Sequence, residues 1–235
     1  MQPKMRRSVN DLVEWQLTKW HAQKNVKEKE EAVVKPAPCI TVSREAGSGG
    51  SEIARQLAKE LDMDIIGSQI IRQIAERTDM SEKVIASLDE KEVRLIDTMM
   101  DSFFKARHIW PNEYLRHLTH VIGTIGQQGN AIIVGHGAQF ILPEAETFRL
   151  RVIAPREVRV KNVMRDSNYN QERAESYVDT AEANRSAYIR QHFHVDWTTP
   201  GLYDLILNTG NMGIEGAVAA VKAAFLVWRA LPRER

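Results

Sequence analysis

The stretch from Ile40 to Ala54 constrains this chain most. An apolar run, Ile40-Thr41-Val42-Ser43, stops at a glycine-rich turn, Gly47-Ser48-Gly49-Gly50, and an amphipathic helix pattern follows at once from Ser51. Strand, glycine-rich turn and helix in this order build a cradle for phosphate. N–H groups of the turn and of the first helical turn point at the anion, and the helix dipole adds to the attraction. A tight strand-to-helix turn without a ligand is the plain alternative. The usual pattern, G-x-x-x-x-G-K-[ST], puts lysine where Gly50 stands. Gly47, Ser48, Gly49, Gly50 and Ser51 are the expected phosphate-binding residues, and Ser51 sits where the loop hydroxyl reaches Mg²⁺. The missing cation has to come from elsewhere. Arg44, at the first position of the loop, is the nearest candidate, and its guanidinium is expected to reach the cradle. Arg55, one helical turn further on, is expected in solvent.

Beyond the loop, short apolar runs alternate with helical patterns. Residues 39–43, 63–66, 131–135, 148–154 and 203–208 read as strands. Residues 52–61, 69–76, most of 80–128, 156–165, 171–191 and 213–228 read as helices, with Trp110-Pro111 marking a turn. Apolar strands between helices predict an α/β fold with a parallel sheet covered on both faces. Residues 1–37 read as a separate piece: Ser8 caps a helix with Val9, Leu12, Val13, Leu17 and Trp20 on one face, and a charged linker runs up to Pro36. The expected division is 1–37 and 38–230. In the simpler reading the helix packs on its own domain or on a second copy of the chain; a dedicated partner-binding arm is the alternative.

Composition narrows the functional classes. A net charge of +1 gives no sign of bulk nucleic-acid affinity. Cys39 is the only cysteine, so no intrachain disulfide can form. Lys4, Arg6 and Arg7 are followed by no continuous apolar stretch, so a signal peptide is not expected, and no segment approaches a membrane span. A soluble, cytoplasmic setting is expected, with small-molecule nucleotides as partners and neither nucleic acid nor membrane.

Four ordered segments carry a family resemblance. Ser43-Arg44-Glu45-Ala46-Gly47-Ser48-Gly49-Gly50 resembles the S-R-E-x-G-S-G-G loop of the cytidylate kinase-like family, whose loop lacks the lysine. Residues 134–142, V-G-H-G-A-Q-F-I-L, are similar to its V-G-R-G-A-N-F-I-L, and residues 152–160 to its R-A-P-x-x-x-R-I segment. Asp196-Trp197 followed by residues 203–209, Y-D-L-I-L-N-T, is similar to its ending. The resemblance runs from about Pro38 to about Trp228. It implies a P-loop nucleoside-kinase-like three-layer sandwich with a central parallel sheet, a helical insertion near 67–128 and a lid near 166–195. ATP and Mg²⁺ would sit on the loop, and an acceptor nucleotide in a cleft closed by the lid.

The resemblance also distributes roles. Ser68 and Arg72 match a serine and an arginine that hold the acceptor, although Gly67 departs from the family's aspartate. His136 stands where arginine is expected to grip the acceptor phosphate; it cannot offer that residue's bidentate fork. Arg159 and Arg165 lie near the start of the lid, and Arg173, Arg185 and Arg190 in or after it. Arg159 is assigned to the acceptor, and Arg44, Arg185 and Arg190 to catalysis, because phosphoryl transfer depends on positioning and cationic charge. For each arginine a solvated helix face is the alternative. Trp197 and Tyr203 are expected in packing, and His192, His194 and Asp196 do not have a recognised zinc spacing. The leading expectation is ATP-dependent phosphoryl transfer to a small acceptor such as CMP or dCMP. A nucleotide-binding sensor or interaction protein without turnover, and a kinase of another small molecule, remain the alternatives.

Overall fold

A computed structural model describes residues 11, 13–20, 37–88 and 90–231. The strands are β1 (Cys39–Arg44), β2 (Asp64–Ile66), β3 (Ala131–Val134), β4 (Thr147–Ile153) and β5 (Leu205–Asn208). The helices are α1 (13–20), α2 (Gly50–Leu61), α3 (Ser68–Ala75), α4 (Thr78–Ile85), α5 (Glu90–Arg107), α6 (Glu113–Gln128), α7 (Ala138–Ile141), α8 (Arg156–Ser167), α9 (Gln171–Phe193) and α10 (Gly213–Ala230). The sheet order is β2-β3-β1-β4-β5, and every neighbouring pair is parallel. Strand order therefore reverses about β1, which leaves a crevice at the carboxyl ends of the strands.

Period-two alternation builds both core layers. Ile40, Val42, Ile132, Val134, Phe148, Leu150 and Val152 face α2 and α10, where they bury against Ile53, Leu57, Val221 and Phe225. Cys39, Ala131 and Ile133 face the other way, under Ile71 of α3 and Leu118, Ile122 and Ile125 of α6. This is the expected three-layer sandwich. On that second face Thr41 pairs in register with Arg149 and Ser43 with Arg151, so the sheet turns polar next to the crevice.

The region read as one helical insertion divides into two kinds of structure. α4 and α5 lie outside the sandwich, whereas α6 is one of its layers, with Leu118 and Ile122 fully buried. The Asn112 side chain caps α6 by accepting from Leu115 N at 2.8 Å, just after the anticipated Trp110-Pro111 turn. The segment expected as a lid, about 166–195, takes in the end of α8 and all of α9, which form a hairpin with an apolar seam of Val160, Val163, Ala174 and Val178. Asn168 in the left-handed region ends α8, and the Asn170 side chain caps α9. The short α7 has no separate signal in the sequence pattern.

α1 lies against the edge strand β2. Val13 and Trp20 are buried in the same cluster as Ile66 and Ile74, Gln16 Nε2 donates to Asp64 Oδ2 at 2.9 Å, and Lys19 pairs with Asp64. The anticipated Ser8 cap, Val9, Leu12 and the linker 24–31 fall outside the described residues. Among the described residues no helix is long and apolar enough to cross a membrane.

Candidate active site

The glycine-rich turn sits where β1 enters the crevice. Gly47 and Gly49 take φ values of 78° and 81°, and a side chain at Gly47 would run into the Arg159 carbonyl. Only glycine meets both demands there. Ser48 is fully buried: its hydroxyl and its N–H turn back to the Glu45 carbonyl at 2.9 and 3.3 Å. Thr209 Oγ1 donates to the Ser48 carbonyl at 2.9 Å. Ser48 thus shapes the loop rather than bordering the cavity, unlike its four neighbours. The N–H groups of Gly47, Gly49, Gly50 and Ser51 have no acceptor among the described residues. All four residues border a cavity of about 810 Å³, and the start of α2 adds its dipole. Unpaired N–H groups at a helix N-terminus favour a bound anion.

Arg44 and Gly50 occupy one another's space. A Cβ at Gly50 would stand 2.6 Å from Arg44 Cβ and 3.2 Å from Val152 Cβ. The stem of Arg44 therefore fills the room that a lysine at position 50 would need. Its guanidinium does not turn into the cradle as expected. It runs past Gly50 to Gly135, where a Cβ would lie 2.5 Å from Nη1, and its Nη2 stands 3.4 Å from Ser68 Oγ. Arg44 Nε is buried without a hydrogen-bond partner.

Arg185, from α9, meets Arg44 at this point and donates from Nη1 to the Arg44 carbonyl at 3.1 Å. Neither guanidinium forms an ion pair among the described residues. Burial first, and then the charge of Arg185, push Arg44 down to about 10. Burial also lowers Arg185. Both arginines border the loop cavity and a second cavity of about 470 Å³ on the far side. Two desolvated cations at one junction form a strong site for a shared anion.

The second cavity brings together Ser68 and Arg72 of α3 and His136 after β3, three residues expected on the acceptor side, with Tyr188 of α9. His136 has φ 56°, and its Nε2 donates to the Ser68 carbonyl at 2.6 Å. That bond takes the only donor of the neutral ring. Burial chiefly, helped by the charges of Arg44 and Arg72, holds the imidazole below its ordinary value. The Tyr188 ring meets His136 edge-on at 6.2 Å and His192 at 4.7 Å, so one wall is aromatic.

Two assigned arginines lie elsewhere. Arg159 borders neither cavity. It donates from Nε to the Ala154 carbonyl at 3.0 Å, and pairs with Glu45 at 3.3 Å and Glu182 at 2.9 Å. Glu45 also accepts from Ala154 N at 3.1 Å and lies 3.6 Å from Arg151 Nη2. Arg159 thus braces the loop against the lid helix instead of reaching an acceptor. Burial and the nearby Glu45 charge raise the Glu182 carboxyl. Arg190 is exposed at the far end of α9 and also borders neither cavity. Arg165 borders the loop cavity, where it pairs with Asp166 at 2.8 Å.

Several residues that matter here went unnoticed in the sequence. Arg151 is almost fully buried, stacked 4.3 Å from the Trp197 ring and donating to the Trp197 carbonyl at 3.0 Å. Tyr203 OH donates to the same carbonyl at 2.6 Å, so Trp197 and Tyr203 are packing residues as expected, although Trp197 also borders the second cavity. Tyr114 and Gln139 border that cavity as well. Only the neighbouring motif letters around Gln139 could have pointed to it.

The sequence pattern of the cytidylate kinase-like family matches residues 39–211, most of the chain. The chain belongs to this family. Among curated relatives, the cytidylate kinase of Ignicoccus hospitalis is 24% identical over 188 residues, covering 80% of this chain and 98% of that protein. The cytidylate kinase of Thermococcus kodakarensis is 29% identical over 188 residues, covering 79% and 86%. A solved structure of an uncharacterized protein from Eubacterium ventriosum superposes with a TM-score of 0.57 at 18% identity, covering 81% of this chain and 98% of that one. The match covers the glycine-rich loop, the α8–α9 hairpin and the whole lining of the second cavity, and leaves α1 and α10 outside.

Proposed function

We propose that this chain transfers the γ-phosphoryl group of ATP to the phosphate of a nucleoside monophosphate, with CMP or dCMP as the first candidates. The supporting observation is the junction of two cavities at Arg44 and Arg185, which have no paired carboxylate among the described residues. In this reading the free N–H groups of the loop hold the donor phosphates. Arg72 and the far cavity hold the acceptor, and an oxygen of its phosphate attacks the γ-phosphorus. The bond from that phosphorus to the β–γ bridging oxygen breaks, and ADP leaves. An ionised phosphate needs no protein base. Arg44 and Arg185 face the charge that spreads over the transferring group, where a low-dielectric setting strengthens their effect. The lid hairpin excludes water.

The donor set suits Mg²⁺. Ser51 is exposed on the loop cavity and offers a hard oxygen, while the bordering carboxylates Glu45, Glu52 and Asp166 each pair with an arginine. Mg²⁺ keeps several waters and takes substrate phosphate oxygens, so the Ser51 hydroxyl would be one ligand among these. When bound it neutralises phosphate charge.

The test is ADP release from ATP·Mg²⁺ with each ribo- and deoxynucleoside monophosphate in turn. Turnover on CMP or dCMP is expected, and Arg44→Ala should cut it at least about tenfold, equivalent to roughly 1.4 kcal/mol of barrier. ATP binding without turnover on any acceptor would contradict the proposal and favour a sensor.

A further inference from the structure

Gln139 is a polar group of the far cavity that neither the loop nor the arginines explain. Gln139 is only 6% exposed, and its side-chain amide forms no hydrogen bond among the described residues. It is not sealed off either, since it borders the cavity that Trp197 and Ile189 also line. Gln139 also borders a smaller cavity of about 290 Å³ and so stands in the partition between the two. A buried amide left unpaired is costly unless a ligand supplies its partners. No aspartate or glutamate borders the 470 Å³ cavity among the described residues, so the selective reader of an amino group is missing.

We infer that Gln139 reads the hydrogen-bonding edge of the acceptor's base, and that it takes cytosine and uracil alike. This rests on the nucleoside monophosphate reading of the same cavity. The argument is one of donor and acceptor counts. Cytosine presents an amino donor beside a ring-nitrogen acceptor; uracil presents a carbonyl acceptor beside an N–H donor. A primary amide carries both an acceptor oxygen and a two-proton donor, and rotation about its last bond exchanges them. No hydrogen bond among the described residues fixes the Gln139 amide in one orientation, so either pattern finds a match. A carboxylate, which only accepts, would favour cytosine and repel the uracil carbonyl. The arginines at the other end of the cavity hold the shared phosphate, which leaves the base edge for Gln139.

Isothermal titration of the full chain with CMP and with UMP tests this without requiring turnover. The two dissociation constants should agree within about fivefold in the wild type, about 1 kcal/mol. Gln139→Glu should raise the preference for CMP over UMP at least about tenfold, because only the carboxylate discriminates. Gln139→Leu should weaken both equally and leave ATP binding unchanged. Binding of CMP without UMP, binding of neither, or a ratio unmoved by Gln139→Glu in a variant that melts like the wild type would each overturn the inference. The wild-type ratio decides the matter even where a variant fails to fold. Binding of both without ADP release would defeat phosphoryl transfer and leave the Gln139 assignment standing; turnover on CMP with UMP excluded would do the reverse.

Discussion

Gly50 and Arg44 have to be considered as one unit, because a single volume serves both. A methyl group at position 50 would collide with Arg44 Cβ, where backbone-held atoms have little freedom to move. Gly50→Ala should therefore cost about 1–3 kcal/mol, the usual range for overpacking. Combined with Arg44→Gly, the same substitution should recover stability while turnover stays low. Thermal unfolding of the two variants checks this, and equal melting temperatures would contradict it. His136 makes a second residue-level claim. Its folded-state value lies below 6.5, so the unfolded chain binds the proton more readily. The stability it contributes is complete above about pH 6.5 and is lost as pH falls through the folded value. In urea unfolding between about pH 7.5 and 5, the wild type should lose more free energy than His136→Gln. The absence of lysine at position 50 and the arginine at 44 were legible as letters. The exchange of space between them was not, because it depends on how the strand end curves over the first helical turn.

At the scale of elements, the loop and the lid are joined by charges. Glu45 leaves β1, Arg159 opens α8 and Glu182 lies on α9, and their contacts tie three segments together. Arg159→Ala would leave two carboxylates facing each other without their shared cation. The expected loss is about 3 kcal/mol, the lower end of what breaking a buried ion pair costs. Hydrogen exchange in α9 should rise with it. Exchange unchanged along α9 would mean that the lid is held by its apolar seam alone. The helices of the lid could be read from their periodicity, and Arg185 from its motif. Arg159 could not be separated from the acceptor-binding arginines, since its partners lie far away in sequence. The same holds for α6. Its apolar residues announce a buried helix, but only the sheet shows that it belongs to the sandwich rather than to an insertion.

For the whole molecule, the alternation of apolar strands and helices was enough to anticipate a parallel sheet covered on both faces, while a cleft was only what the family resemblance implied. Strand order was not legible, because period-two patterns say which face is buried and not which neighbour is beside it. The second cavity was legible only in part for the same reason: Asn184, Arg185, Tyr188 and Ile189 come from α9, Ser68 and Arg72 from α3, Tyr114 from α6 and His136 from the segment after β3. α1 uses its apolar face on β2, which matches the simpler of its two readings. The central claim is that donor and acceptor cavities meet at Arg44 and Arg185. A bisubstrate ligand, adenosine and cytidine joined through five phosphates, tests it most directly. One molecule per chain should bind in calorimetry, compete with both ATP and CMP, and bind at least about tenfold more weakly to Arg44→Ala and Arg185→Ala, roughly 1.4 kcal/mol. Competition with ATP alone, or affinity unchanged by either substitution, would contradict the claim.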